Sequence, residues 1–390
     1  MASLETAIYI TVMTFLCGSI FYLSYSIILR LSVRKSRSVS TSKCVRNDLS
    51  LPRVSMIVPT YNEEKIILRK IINTRELDYP KDRLEVLFVD GCSTDGTGDI
   101  IVEHVDLTNM RLLKQNRRMG FNAGVFEGVA NANVGPDEII VLSAADAIYS
   151  PQAIRNLCRH FFDLQVGAVT GREIVINKDE SLATKIESMY RELQDTMSEA
   201  EMVLDSPFDI KGEICAARRV VLDSLRLRQD PRRGSVDCCI SSEARRLGYR
   251  VIYDGEATYG EYAPSKLRER MRMQVRRAKI LIESLLMYRD MIFRHEYGAY
   301  GQVILPAHFI MLIVVPWLFL TGIVSFLIST WFHPMLLVGI GVVILIFFVL
   351  QKIGMFALGF SQSQLSLILG VLTILARKET VIRQIETTRR

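Results

Sequence analysis

The sequence predicts an α/β domain with a mostly parallel sheet, joined to transmembrane helices on both its N-terminal and C-terminal sides. Continuous apolar runs such as Val54–Pro59 and Val86–Val89 alternate with helical patterns between residue 52 and about residue 170. Such runs are typical of strands that are buried on both faces of a parallel sheet. Long apolar segments precede and follow this region, at Thr6–Leu31 and beyond Gly301, and they are long enough to cross a bilayer.

Charge and cysteine usage restrict the class of protein. The 390 residues carry a net charge of +6, and the basic residues cluster beside the apolar segments rather than on an aromatic-rich face. This distribution favours contact with a cytoplasmic membrane surface and argues against a nucleic-acid partner. The seven cysteines show no CxxC pair, which indicates a reducing compartment for the soluble part.

Hydropathy and charge divide the chain into six regions. We expect an N-terminal transmembrane anchor at 1–33, a basic juxtamembrane linker at 34–51, the α/β domain at 52–265, basic interfacial helices at 266–302, C-terminal membrane segments at 303–376 and a basic cytoplasmic tail at 377–390. Positive charge after the first apolar segment predicts a multi-pass protein of the cell membrane with its α/β domain in the cytoplasm. The number of C-terminal spans and the oligomeric state are left open.

Two successive strands deliver polar side chains to the same edge of the predicted sheet. The first strand ends in VPTYNEE, which contains Thr60 and Glu63, and the next ends in VDGCSTDGT, which contains Asp90. An acid just past the carboxyl end of a parallel strand stands where open α/β sheets hold their ligands. A solvated aspartate between a strand and a helix is the alternative interpretation.

These two segments resemble the nucleotide-binding half of the inverting family-2 glycosyltransferases. That family has the GT-A fold and includes cellulose, chitin and hyaluronan synthases and dolichyl-phosphate sugar synthases. The resemblance implies that 52–265 is a GT-A domain. It also implies that Thr60 and Asp90 contact the base and ribose of a sugar nucleotide, with Glu63 nearby.

A basic, glycine-containing turn follows the third predicted strand. Arg117 and Arg118 place two positive charges before Gly120, at the start of a helical pattern. This arrangement suits a diphosphate, and the family has a similar Asn/Gly-rich segment at this position. We therefore assign Arg118 to nucleotide binding, with a solvated basic turn as the alternative.

The strand in EIIVLSAADAIY ends near Asp146, where the family has its metal-binding DxD motif. In this chain Ala144 replaces the first acid of the motif. Mg²⁺ is often held by one or two carboxylates together with phosphate and water oxygens. The resemblance therefore implies Mg²⁺ or Mn²⁺ at Asp146, and a strand-end aspartate that caps a turn is the alternative.

The catalytic base is expected in GSVDCCISSEARRLGYRVIYDGEA, which resembles the family's TED-type segment. Asp237 occupies the place of the base and Val236 that of the usual glutamate. A carboxylate there can take the proton of the acceptor hydroxyl. Without the resemblance, Asp237 is an ordinary first-turn acid of a helix.

The segment QVRRA stands where the family has QxxRW. Gln274 and Arg277 match that motif, whereas Ala278 replaces its aromatic residue. The match implies that Gln274 contacts the acceptor or diphosphate and that Arg277 binds the departing diphosphate. A membrane-surface arginine is the alternative for Arg277.

The resemblance extends over Val54–Ala278 and implies a membrane-anchored inverting glycosyltransferase. We expect it to move a sugar from a UDP-linked nucleotide sugar to a lipid-linked or glycan acceptor. A processive polysaccharide synthase is one alternative, and the missing aromatic at Ala278 favours transfer of few sugars instead. A non-catalytic membrane scaffold that retains the fold is the other alternative.

Overall fold

The structure is a computed structural model that describes residues 51–105, 109–133, 135, 138–332 and 351–376, together with the single residues 25 and 388. Apart from Tyr25, Leu51 and Thr388, the expected anchor, linker and basic tail lie outside the described residues. The apolar segment at 335–350 lies outside them as well.

One sheet organises the α/β domain. Within the described ranges it has eight strands in the order β3-β2-β1-β4-β7-β6-β8-β5. They are β1 (Val54–Thr60), β2 (Leu84–Asp90), β3 (Met110–Lys114), β4 (Ile139–Ser143), β5 (Ile148–Tyr149), β6 (Val166–Val175), β7 (Ile214–Arg218) and β8 (Arg250–Glu261).

The direction of the strands places the polar strand ends together. β1 pairs in parallel with β2 and β4, and β2 pairs in parallel with β3. β7 is antiparallel to both β4 and β6, while β8 is parallel to β6. The carboxyl ends of β1 to β4, β6 and β8 therefore meet the start of β7 at one edge, called here the carboxyl edge. The prediction of a mostly parallel sheet is confirmed.

Alternate residues of the central strands are buried on opposite faces of the sheet. Ile57 of β1 and Leu87 of β2 belong to one apolar cluster, whereas their neighbours Met56 and Phe88 belong to another. Because side chains alternate along a strand, such strands must be apolar at every position. This explains why the sequence shows continuous apolar runs.

Eight helices surround the sheet in the described part of the α/β region. They are α1 (Ile67–Arg75), α2 (Thr97–His104), α3 (Phe121–Asn131), α4 (Ala153–Cys158), α5 (Leu182–Leu204), α6 (Arg219–Asp223), α7 (Val236–Arg246) and α8 (Leu267–Met287). α8 carries the QVRRA segment, and it packs against α5 and α7.

Two helices in the described residues are long and apolar enough to cross a membrane. They are α9 (Tyr300–Trp331) and Ile353–Leu375 of α10 (Gln351–Leu375). α10 lies along α8, where a Cβ on Gly370 would stand 3.1 Å from the Cβ of Ala278. α10 is thus packed directly on α8, the helix that follows the sheet.

Candidate active site

The first part of the candidate site is built on the ends of β1 and β2. Thr60 and Asp90 are paired in register, and the Gly91 N–H donates to the carbonyl oxygen of Thr60 at 2.8 Å. The Asp90 side chain is buried, and its Oδ1 accepts hydrogen bonds from the N–H and the hydroxyl of Ser93, at 3.1 and 2.5 Å. Two predicted nucleotide-binding residues therefore lie side by side at the carboxyl edge.

Side-chain hydrogen bonds hold the loops after β1 and β2 together. Asn62 adopts a positive φ of 54°, its N–H donates to Ser93 Oγ at 3.0 Å, and its Oδ1 accepts from Thr94 N–H at 2.8 Å. The Glu63 N–H donates to Thr97 Oγ1 at 2.7 Å. Glu63 is thereby fixed beside the start of α2, close to Thr60 and Asp90 as the sequence predicts.

Arg118 joins the same edge from the loop after β3. Its exposed guanidinium lies over the ring of Tyr61, with its central carbon 3.9 Å from the ring centroid. Gly120 follows with a φ of 90° and precedes α3. This cation–π contact holds a positive charge next to the loop that bears Thr60 and Glu63.

The turn that carries Asp146 is fastened to α1 by a buried lysine. Lys70 is fully buried, and its Nζ donates to Ser143 Oγ and to the Ala147 carbonyl oxygen, both at 2.7 Å. Burial lowers the pKa of Lys70 to about 7, while the carboxylate of Asp146 acts in the opposite direction. Lys70 was not predicted as a site residue, although a lysine beside Ile66, Ile67 and Ile71 interrupts an apolar face of α1 and could have signalled it.

Glu261 supplies a second carboxylate near Asp146. It ends β8 at the carboxyl edge, and its buried Oε2 makes no hydrogen bond within the described residues. Burial raises the pKa of Glu261, and the charges of Asp146, Glu173 and Glu213 raise it further. No sequence motif identifies Glu261, because it comes near Asp146 only through the pairing of β8 with β5, in which Gly260 is opposite Ile148.

The carboxyl edge suits a divalent ion that shares its ligands with a substrate. No group of three or more Asp, Glu, His or Cys side chains with metal-binding geometry occurs among the described residues. Asp146 and Glu261 together offer carboxylate oxygens, the ligands that Mg²⁺ and Mn²⁺ prefer. Phosphate and water oxygens would have to complete such a site.

Asp237 lies in the first turn of α7 and is pressed against the start of β7. Its half-buried carboxylate has an Oδ1 that makes no hydrogen bond within the part of the chain described. A Cβ on Gly212 would stand 2.7 Å from its Oδ2. Burial raises the pKa of Asp237, a hydrogen bond from the Ser235 side chain and backbone hydrogen bonds oppose this rise, and the charge of Asp209 adds to it, so that the pKa remains raised. A carboxylate with such an environment is a stronger base than a solvated one.

Arg277 takes part in a network of ion pairs beneath the sheet edge. Its Nη1 lies 3.0 Å from Glu187 Oε1, and the fully buried Arg270 contacts the other oxygen of Glu187 at 2.9 Å. Arg191 continues the network, with 3.0 Å to Glu173 and 3.2 Å to Glu187. The network joins α5 to α8, and about 29% of the Arg277 side chain remains exposed.

Gln274 lies on the side of α8 that faces α10. It is one turn after Arg270, which contacts Gln362 of α10, and one turn before Ala278, which packs against Gly370. Gln274 is buried, and its Oε1 makes no hydrogen bond within the described ranges. The structure therefore places Gln274 in a helix–helix interface, whereas Thr60, Glu63, Asp90, Arg118 and Asp146 gather at the carboxyl edge.

Comparisons with known proteins agree with this geometry. A sequence-family model described as "Glycosyltransferase like family 2" matches residues 52–279. The chain is 34% identical over 144 residues to the "Probable glycosyltransferase YdaM" of Bacillus subtilis (strain 168). The matched stretch covers 36% of this chain and 34% of that protein. It is 29% identical over 212 residues to the "Beta-monoglucosyldiacylglycerol synthase" of Nostoc sp.. This match covers 53% of this chain and 44% of that protein. The chain thus spans less than half the length of these two relatives.

A solved structure is similar over nearly the whole chain. It is a mannosyltransferase from Pyrobaculum calidifontis, PcManGT, in complex with GDP-Man and Mn²⁺. The match has a TM-score of 0.76 at 22% sequence identity and covers 95% of this chain and 99% of that one. At this identity the likeness concerns the fold, which is that of a GT-A glycosyltransferase.

Proposed function

Because this chain belongs to glycosyltransferase family 2, we propose that it is an inverting glycosyltransferase at a membrane that transfers a sugar from a UDP-linked donor to a lipid-linked or glycan acceptor. The observation that carries this proposal is the environment of Asp237. A buried carboxylate oxygen without a hydrogen bond, next to the edge where nucleotide-binding motifs converge, is poised to accept a proton.

The proposed reaction is a single displacement at the anomeric carbon. The acceptor hydroxyl oxygen forms the new bond to this carbon while the bond to the nucleotide diphosphate breaks. Asp237 takes the hydroxyl proton, and the electron pair of the broken bond leaves with the diphosphate. Positive charge aimed at the leaving diphosphate stabilises it as its negative charge grows. Arg277 and Arg118 are the arginines assigned to this role.

Asp146 is the proposed metal ligand, with Glu261 beside it. A bound Mg²⁺ or Mn²⁺ would supply positive charge to the diphosphate oxygens. Lys70 holds the turn of Asp146 in place through Ser143 and Ala147. The role of Lys70 is therefore to fix the position of the Asp146 carboxylate at the carboxyl edge.

The hydrogen bonds of Asp90 support a uracil base. Oδ1 already accepts two hydrogen bonds from Ser93, and Oδ2 makes none within the described residues. A Cβ on Gly98 would stand 3.4 Å from Oδ2 and 3.7 Å from the ammonium of Lys114, so an acceptor and a donor face the same space. Uracil offers one N–H flanked by carbonyl oxygens, which matches this pair. Guanine offers two adjacent donor groups and would need both carboxylate oxygens.

The membrane assignment rests on α9, α10 and the basic residues of α8. A lipid-linked acceptor carries its reactive group at the membrane surface, and α10 lies directly along α8. A cytoplasmic α/β domain would also have access to soluble nucleotide sugars. These features support an acceptor that is delivered from the membrane side of the domain.

The test is a transfer assay with purified full-length protein against a panel of nucleotide sugars. UDP- and GDP-linked donors are supplied with Mn²⁺ and with lipid-phosphate and glycan acceptors, and the anomeric configuration of the product is read by NMR. We expect one UDP-sugar to be consumed with inversion. Donor binding without turnover for every acceptor and donor would support the scaffold alternative, and a retained configuration would exclude the single displacement.

A further inference from the structure

Arg276 of α8 is a half-buried arginine whose charge has no ion-pair partner. Its Nε is inaccessible to solvent and makes no hydrogen bond among the described residues, and no carboxylate among them comes within ion-pair distance of its guanidinium. A buried donor that is left without an acceptor is costly, and a bound anion relieves that cost. Arg276 therefore has unused hydrogen-bonding capacity in a place where water reaches it poorly.

The next residue has a different environment, although both are arginines. Arg277 contacts Glu187 at 3.0 Å and belongs to the ion-pair network between α5 and α8. Successive residues of a helix point about 100° apart, so Arg276 is directed away from this network. The family motif draws attention to Arg277, and no sequence pattern distinguishes Arg276 from the neighbouring basic residues.

Two observations place Arg276 at the carboxyl edge. Residues seven apart share a helix face, and Glu283, seven residues after Arg276, accepts a hydrogen bond at 3.0 Å from the N–H of Gly234, just before α7. The face of α8 that carries Arg276 is thus directed toward the start of α7, whose first turn carries Asp237. Burial and the charge of Arg277 lower the pKa of Arg276, while the carboxylates of Glu213, Glu261 and Asp146 oppose this change.

We propose that Arg276 binds a phosphate group of a substrate at the carboxyl edge, which deepens the proposed function and rests on it. A guanidinium offers a planar pair of donors that matches phosphate oxygens. The phosphate has two sources, the diphosphate of the nucleotide sugar and the phosphate of a lipid-linked acceptor. Both present the same chemistry, and both would meet Arg276 at the carboxyl edge.

The donor source is tested by comparing nucleotides that differ by one phosphate. Calorimetry with full-length protein measures the Kd of UDP, UMP, GDP and GMP, each with Mn²⁺ and with EDTA. Arg276→Gln is expected to weaken binding of the preferred diphosphate by about 10- to 100-fold, the range for a hydrogen bond to a charged group, and to leave its monophosphate little changed. Arg268→Gln, an exposed arginine two turns earlier in α8, is the matched control and should change neither.

The acceptor source is tested by the KM for a short-chain polyprenyl phosphate in detergent. A raised KM with unchanged diphosphate affinity would assign Arg276 to the acceptor phosphate. Arg276→Lys keeps the charge but not the planar pair of donors, so it should lose most of the binding affinity that Arg276→Gln loses. It is the second variant to measure if Arg276→Gln does not fold.

Three outcomes separate the proposals. Unchanged diphosphate affinity together with an unchanged acceptor KM would overturn the assignment of Arg276. An equal loss of affinity for UDP and for UMP would also overturn the assignment, because Arg276 would then only balance the negative charge of the carboxyl edge. A wild-type protein that binds no nucleotide at all would instead reject the proposed function.

Discussion

Gly212 and Asp237 are in such close contact that a Cβ on Gly212 would stand 2.7 Å from Oδ2 of Asp237 and 2.9 Å from its Cγ. Gly212 lies just before β7 and Asp237 lies in the first turn of α7, so the contact fixes the candidate base against the sheet. Real Cβ atoms do not approach carboxylate oxygens this closely. The glycine therefore permits a position for the carboxylate that any other residue would disturb.

Gly212→Ala tests whether that position matters for activity. We expect turnover to fall by about 10²-fold, the loss that a displacement of about 1 Å can produce, while nucleotide affinity stays near that of the wild type. Gly255→Ala is the control, because its new Cβ would meet nothing closer than 3.7 Å. Normal turnover in Gly212→Ala would show that the position of Asp237 is not critical.

Asp237→Asn tests the base itself. It should lower turnover by about 10²- to 10⁴-fold and leave UDP-sugar binding, measured by calorimetry, nearly intact. Burial raises the pKa of Asp237, so its charged form is disfavoured in the folded state and a neutral amide should not destabilise the protein at pH 7. Full activity, or a variant that cannot fold, would contradict the assignment.

The pH dependence of kcat/KM should report the same group. A base must be unprotonated, so the rate falls as the pH decreases through its pKa. Because the pKa of Asp237 is raised above the usual value for aspartate, about 3.9, the acid limb should lie above that pH. Asp237→Glu should retain an acid limb and Asp237→Asn should lose it. An unchanged limb in Asp237→Asn would assign the titration to another residue.

The part of the carboxyl edge that we propose binds the nucleotide could be anticipated, because its residues directly follow strands. Thr60 and Asp90 each end an apolar run, and parallel pairing brings such ends together without any knowledge of distant contacts. Glu63 and Arg118 lie in the loops that follow. Local sequence therefore predicted the sheet and this side of the site.

The positions of residues that reach the site through tertiary packing could not be derived from local sequence, even where the residue type was unusual, as at Lys70. Lys70 meets Ser143 and Ala147 because α1 packs against β5, and Glu261 comes near Asp146 because β8 pairs with β5. Gln274 matches a motif, yet it lies against α10 because Arg270 and Ala278 define the same helix face. The pattern QxxR gives the residue types but not the direction in which α8 presents them.

Asp146→Asn tests the metal. We expect it to abolish the effect of Mn²⁺ on UDP affinity, because a neutral amide is a poor ligand for a hard divalent ion. Asp99→Asn, an exposed acid of α2, is the control and should behave like the wild type. Calorimetric titration of UDP with and without Mn²⁺ measures both variants. Unchanged metal-linked affinity in Asp146→Asn would remove Asp146 from the site.

The environment of Ala278 bears on the length of the product. The family's polymerising members are expected to offer an aromatic face after the QxxR arginine, and such contacts contribute about 1 kcal/mol. In this chain the position is Ala278, which is only 6% exposed and packs against Gly370 of α10. The space beside it is filled by a helix, so the acceptor has no flat apolar surface to rest on there between additions.

We therefore expect short products, with one or a few sugars added to each acceptor and release between additions. The measurement is the size of products formed from limiting acceptor and excess donor, sampled before the acceptor is exhausted. Distributive transfer converts most acceptors before any product grows long, because every released product competes equally for the enzyme. Long polymer beside untouched acceptor would instead show that the protein holds its acceptor through another surface, and that the lack of an aromatic side chain at Ala278 does not limit product length.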